Sequence, residues 1–149
     1  PLEVLLSPQS KHAGSGVAMS MSQLTEIPLA LPRPDFGIGT LLRETEATYG
    51  VRLSGLVETD SLAVLRNFVR EDIGATILPA FVVARELADG HVVTVPLDIP
   101  ELQKGEATIL VRTGRRLPEA ASRLATHAAR AMLAFRRKIQ VPNVAPNAT

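Results

Sequence analysis

The 149-residue sequence has no cysteine and no tryptophan, and its aromatic content is only 3%. The lack of cysteine excludes disulfides, thiolate metal sites and a cysteine nucleophile, and it fits a reducing compartment. With so few rings, the core has to be built from Leu, Val, Ile and Ala, which the hydrophobic share of 46% allows. No apolar run approaches the length needed to span a bilayer, and no export signal is visible, so a cytoplasmic location without a membrane partner is expected. The chain opens on Pro1 instead of Met and is expected to have been processed or cut from something longer. Its length suits one domain, or one domain plus part of a second.

Catalytic patterns are missing as well. His12, His91 and His127 fall in a loop, at a strand start and on a helix, and none has a second ligand at metal spacing, so no metal is expected. Gly37-Ile38-Gly39 lacks the third glycine of a dinucleotide loop and the Lys-Ser/Thr pair of a phosphate loop. No serine stands in a nucleophile elbow. Glu58 and Asp60, two apart at a strand end, have the form of an acid/base pair, but a strand-end carboxylate beside a helix cap accounts for them better. We therefore expect no enzyme, no catalytic residue and no cofactor.

The net charge of +1 conceals an asymmetry. Residues 1–111 carry eight basic against fourteen acidic side chains, whereas residues 112–138 carry eight basic side chains against Glu119 alone. Such a stretch can meet nucleic acid or an acidic surface. A solvated helix face whose cations complement the dipole explains it with less.

What the chain does have is a repeated corner. Leu29-Ala30-Leu31 is an apolar run of strand length, closed by Pro32 and Pro34, which hold the backbone extended. Gly37 and Gly39 then permit a close bend into a helix with Ile38, Leu41, Leu42 and Tyr49 on one face, ending near Gly50. Val51–Glu58 reads as the next strand, and Asp60 or Ser61 caps a helix with an inward stripe of Leu62, Leu65, Phe68 and Val69 that stops at Gly74. Ala75–Leu78 is a short buried strand ended by Pro79, and Phe81–Ala88 is a helix. Around these, Leu2–Leu6 and His91–Pro96 read as strands, 9–22 and 97–105 as loops, and Ser22–Glu26 as one helical turn. Ala107–Arg112 reads as the last strand, and Pro118 opens a long helix with the stripe Ala121, Leu124, Ala125, Ala128, Met132 and Phe135. Strands alternating with helices imply an α/β fold with a mostly parallel sheet flanked by helices, and ligand sites at the strands' C-terminal ends. Three such ends, Pro32–Gly39, Glu58–Ser61 and Leu78–Phe81, share the same strand-to-helix design.

The order Leu24, Ile27–Pro32, the Gly37 helix, Glu58–Ser61, Gly74–Pro79 and Leu87–Leu97 resembles the effector-binding domain of LysR-type transcriptional regulators over about residues 2–135. The resemblance implies a fold like the type 2 periplasmic binding proteins, in which two α/β subdomains enclose a small-molecule effector. On that basis 1–26 is a crossover strand and loop from the first subdomain, and 27–105 is the complete second subdomain. Residues 106–138 are the return strand and helix of a first subdomain present only in part, and 139–149 are a disordered tail. The winged helix-turn-helix that binds DNA, and the first half of the first subdomain, are expected to lie outside this sequence. DNA would then be met only through that absent segment. The ligand wall carried over by position is Pro32, Arg33, Asp35, Phe36 and Gly37 at the first corner, Thr59 and Asp60 at the second, and Pro79 and Phe81 at the third. Arg33 with the free amides of Gly37 and Ile38 suits a carboxylate, and effectors of the family are commonly small organic anions. Asp35 opposes an anion unless it pairs with Arg33 or caps the helix, and Phe81 suits an apolar portion. The family also implies a homo-oligomer, dimer or tetramer, and allosteric switching of DNA binding. A transporter's solute-binding receptor of the same fold, or an enzyme on a related two-lobed fold, are the competing readings.

Overall fold

The first apolar run forms β1 (Glu3–Leu6), and turns take up most of the small polar residues after it. The computed structural model describes residues 1–14, 16–35, 37–104, 108–111, 114 and 116–139, the last four by backbone alone. The chain divides into two units, Pro1–Glu106 and Ala107–Thr149. In the first, α1 (Met21–Leu24) is a single turn fixed by a reciprocal cap. The Ser20 hydroxyl accepts from the Gln23 amide at 3.4 Å, and the Ser20 amide donates to the Gln23 side chain at 2.9 Å. Then follow β2 (Leu29–Pro32), α2 (Gly37–Tyr49), β3 (Gly55–Thr59), α3 (Leu62–Arg70) and β4 (Ala75–Leu78). A 3-10 turn at Ala80–Val83 runs into α4 (Ala84–Ala88), followed by β5 (Val93–Pro96) and α5 (Pro100–Gln103).

The five strands form one sheet in the order β3-β2-β4-β1-β5. β2 pairs in parallel with β3 and with β4, while β1 is antiparallel to both β4 and β5. Four strands thus point the same way, and the reversed β1 lies between two of them. Two of the four pairings are parallel, so the sheet is mixed. β2 and β4 are buried at every position, as expected of strands covered on both faces. One face packs Val4, Leu6, Leu29, Leu31 and Ile77 against Met21, Leu24, Leu42 and Leu102 from α1, α2 and α5. The other packs Leu5, Ala30 and Leu78 against Leu65, Phe68 and Val69 of α3 and against Val83.

Several boundaries differ from the sequence expectation, each for a local reason. Residues 97–105 are not all loop: Pro100 occupies the first turn of α5, where its missing amide does no harm, and Leu102 is buried. β3 begins at Gly55, four residues later than expected. Ser61 caps α3, its hydroxyl accepting from the Val64 amide at 3.4 Å, while Asp60 stays exposed. α3 ends at Arg70, and Gly74 serves another purpose than stopping it. A Cβ there would lie 2.1 Å from the Pro28 carbonyl oxygen, so the chain entering β4 can pass β2 only without a side chain. On α2 the buried residues are Gly39, Leu42, Thr45 and Glu46. Tyr49, expected on the inward face, is 41% exposed and donates its hydroxyl to Glu101 Oε2 at 3.0 Å.

In the second unit Thr108–Val111 is not a strand, contrary to expectation, and Ile109, Leu110 and Val111 are exposed. β-branched content favours a pleated surface but makes no strand where, as among the described residues here, no neighbouring strand completes the ladder. Residues 107 and 112 lie outside the described ones. α6 (Glu119–Ile139) forms as expected just after Pro118, whose carbonyl accepts from the Ser122 amide at 3.0 Å. Of its anticipated apolar stripe, Ala121, Ala125, Ala128, Met132 and Phe135 are half-buried and Leu124 is exposed. The tail expected at 139–149 falls, beyond Ile139, outside the described residues.

Leu65, 1% exposed between α3 and the sheet, tests this packing. Leu65→Ala should lower unfolding stability by roughly 2–5 kcal/mol in a urea titration. A change below about 0.5 kcal/mol, the range of ordinary surface substitutions, would contradict the burial.

Candidate functional site

The helices leaving neighbouring strands take opposite sides. α2, which follows β2, contributes to the core on one face of the sheet, and α3, which follows β3, to the core on the other. The carboxyl ends of β2 and β3 are paired, Pro32 opposite Thr59, and the Arg33 amide extends the ladder by donating to the Thr59 carbonyl at 3.2 Å. Where chains diverge in this way no backbone fills the space beyond the strand ends, and α/β sheets bind ligands there. An open depression of about 480 Å³ occupies that place, lined by Arg33, Pro34, Asp35 and Glu58.

The corner is tightly built. A Cβ on Gly39 would lie 1.9 Å from the Arg33 carbonyl oxygen, so the first turn of α2 can come this close to the exit of β2 only with glycine there. Arg33 forks onto Asp35, Nε to Oδ1 at 3.1 Å and Nη2 to Oδ2 at 3.2 Å. This settles the conflict expected of Asp35: it is paired with Arg33. The hydrogen bond from Arg33, then one from the backbone, holds the Asp35 carboxyl below the usual carboxylate range, and the same contact raises the Arg33 guanidinium. Since the folded carboxyl is depressed, the pair persists at neutral pH and is lost only as pH falls through that lowered value. Both side chains are largely exposed, 55% and 70%, so the pair is a weak source of stability.

Glu58 faces the same depression and is held from behind. Arg43 on α2 donates Nη2 to Glu58 Oε1 at 2.6 Å and Nη1 to Glu46 at 2.9 and 3.2 Å. Glu46 is buried and also accepts from the Leu53 amide at 2.6 Å. One chain of charge-assisted bonds therefore runs from the loop before β3, through α2, to the end of β3. The hydrogen bond to Glu46, first among the contributions, raises the Arg43 guanidinium.

The expected wall residues reach the same sheet edge but do not form one surface. Arg33 and Asp35 line the depression, and Pro32 is buried in β2 and is not part of the lining. Gly37 is exposed at the start of α2, and Phe36 lies outside the described residues. Thr59 is half-buried, its hydroxyl accepting from the Ser61 amide at 3.1 Å, and Asp60 is exposed. Pro79 and Phe81 are at the end of β4 and in the 3-10 turn, with Phe81 38% exposed, and neither lines the depression. Glu58, Arg43 and Glu46 were not among the expected ligand-wall residues. A signal existed for Glu46: it falls four residues after Leu42 on the inward side of α2, where a carboxylate requires a partner.

A second depression, about 420 Å³, is lined by Ser122, Arg123, Thr126, His127 and Arg130. All five are on α6, so among the described residues it is the surface of one helix. Among the described residues no group of three or more His, Asp or Glu could hold a metal ion, and no helix is long and apolar enough to cross a membrane.

The two charge pairs separate function from stability. Glu46→Ala removes the partner of Arg43 and of the Leu53 amide and should lower stability by roughly 1–3 kcal/mol in urea. Arg33→Ala should leave the urea midpoint essentially unchanged. A large loss on Arg33→Ala would make that residue structural.

A family model described as the LysR substrate binding domain matches residues 1–133. Solved structures of similar fold include the regulatory domain of HypT from Salmonella typhimurium in its apo form. It is 19% identical, with 68% of this chain and 46% of that chain covered, at a TM-score of 0.51. HinK, a LysR family transcriptional regulator from Pseudomonas aeruginosa, is 22% identical, with 65% and 33% covered, at 0.51. The effector binding domain of QuiR in complex with shikimate is 12% identical, with 87% and 60% covered, at 0.58. At these identities the likeness concerns the fold, and this chain spans less than half the length of the first two. No curated protein sequence matches the chain.

Proposed function

This chain belongs to the LysR substrate binding domain family, and on that premise we propose that it senses a small metabolite at the carboxyl ends of β2 and β3 and thereby controls the DNA binding of a transcription regulator. The observation that carries the reading is the depression at that divergence, where Arg33 stands beside Asp35 and Glu58. In this reading a ligand carboxylate takes the fork of Arg33, displacing Asp35, with the amide of Gly37 nearby. Thr59 and Asp60 contact its polar part, and a ligand long enough to reach the end of β4 meets Pro79 and Phe81 with an apolar part. A neighbour of the same fold holding shikimate, an organic acid, supports a small polar metabolite as the ligand class.

Residues 27–105 act as the second subdomain, 1–26 as the crossover into it, and 106–138 as the return strand and helix of the first. Ligand shifts the protein toward a closed arrangement only by binding it better than the open one. In a homo-oligomer that shift alters how helix-turn-helix segments supplied outside this chain sit on DNA. Such a regulator works in the cytoplasm, and no catalytic step is part of this reading. Membership of a regulator family favours it over a transport receptor.

The test uses the intact natural protein and a hit from a panel of small organic acids found by thermal shift. Arg33→Ala should weaken that hit roughly 10–100-fold, the worth of one charge-assisted hydrogen-bonded contact. An unchanged Kd would remove Arg33 from the site. The 149-residue chain alone should show no sequence-selective retention in a gel shift, and such retention would overturn the assignment of DNA binding to another segment.

A further inference from the structure

The charges around the mouth do not suit a simple anion. Arg33 is engaged by Asp35 through both oxygens, at 3.1 and 3.2 Å. Its guanidinium also feels Asp60 and Glu58. The other cation, Arg43, is shared between Glu58 at 2.6 Å and Glu46 at 2.9 Å. Two guanidinium groups therefore meet four carboxylates, Asp35, Glu46, Glu58 and Asp60. An anion that captured Arg33 would displace Asp35 and leave its carboxylate without a partner at a mouth that Glu58 also lines. A plain cation that captured Asp35 would leave Arg33 without its forked partner. A ligand with both charges leaves neither side chain without a partner, because it exchanges one ion pair for two. In an α-amino acid, carboxylate and ammonium are separated by a single carbon, on the scale of the Arg33–Asp35 contact they would replace. Arg43 contributes by holding Glu58 at the mouth, where it adds a second acceptor for an ammonium group.

We propose that the β2–β3 mouth binds a zwitterion of the α-amino-acid type, its carboxylate on the Arg33 fork and its ammonium between Asp35 and Glu58. The proposal rests on the reading of this mouth as the effector site and adds the ligand's charge class. It excludes monocarboxylates without a cationic group as the best ligands, and simple amines likewise.

The experiment is calorimetric titration of the intact natural protein with the L-amino acids. For any that bind, the des-amino acid and the decarboxylated amine follow as matched probes. At least one amino acid should bind, with both single-charge analogues at least tenfold weaker. Asp35→Asn should shrink the preference for the amino acid over its des-amino analogue by about tenfold, and Glu58→Gln should act in the same direction as an independent variant. A des-amino acid that binds as tightly as its amino acid, or the failure of every amino acid to bind, would overturn the proposal and leave the sensing role intact. An amino acid that binds with the expected selectivity but leaves specific DNA retention unchanged would uphold the proposal and overturn the regulatory reading.

Discussion

Strand β2 has no spare surface, and most of the molecule's arrangement around the site follows from that. Its side chains are buried on both faces, and its two edges are occupied by β3 and β4 in parallel. Parallel neighbours cannot be joined by a tight turn, so each connection must leave the sheet as a crossover and return. α2 and α3 take opposite faces, since right-handed crossovers that move in opposite directions along a sheet require it. The space beyond Pro32 and Thr59 is then left open by topology before any side chain is chosen. Gly39 completes the constraint, because α2 must start against the Arg33 carbonyl to pack Leu42 into the core. Arg33 is thus the first residue of β2's exit that can face solvent, its amide fixed to Thr59 and its side chain held only by the exposed Asp35.

Two ion-pair systems meet at this opening, and they differ in burial. Arg33 and Asp35 form a local pair in water, where salt and competing ions weaken it and a ligand can replace either partner. Arg43 and Glu46 are the opposite case. Glu46 is buried and bonded to the Leu53 amide, so removing Arg43 would leave a carboxylate in a place that does not tolerate it alone. That anchored pair holds Glu58 through a third bond. The mouth therefore has an exchangeable side at Arg33–Asp35 and a fixed side at Glu58, which is the arrangement a binding site needs to admit a ligand without rearranging its walls.

How much of this could be read from residues alone follows from the range of each signal. The three strand-to-helix corners were legible because prolines, glycines and apolar runs act within a few residues, and Leu65, Phe68 and Val69 fell inward as their spacing required, while Leu62 at the head of that stripe is exposed. The position of β1 was not legible: nothing within Leu2–Leu6 says that it runs antiparallel between β4 and β5, since partner choice is a long-range matter. Thr108–Val111 shows the reverse error, a segment with strand composition that forms none. Tyr49 misled because its ring suits an inward face, while its hydroxyl finds Glu101 at the rim.

At the site, identity and pairing separate in the same way. That Arg33 would stand at a strand exit follows from its neighbours Pro32 and Pro34, whereas the partner of Asp35 was one of two open choices that only geometry decides. The charge balance lay further still from the sequence, for it depends on Glu58 and Arg43, fifteen residues apart and brought together by the β2–β3 crossover. Seen singly, Arg33 points to an anion. Seen with the carboxylates that the fold gathers around it, the same guanidinium already has its negative partner, and a ligand must offer Asp35 something in exchange.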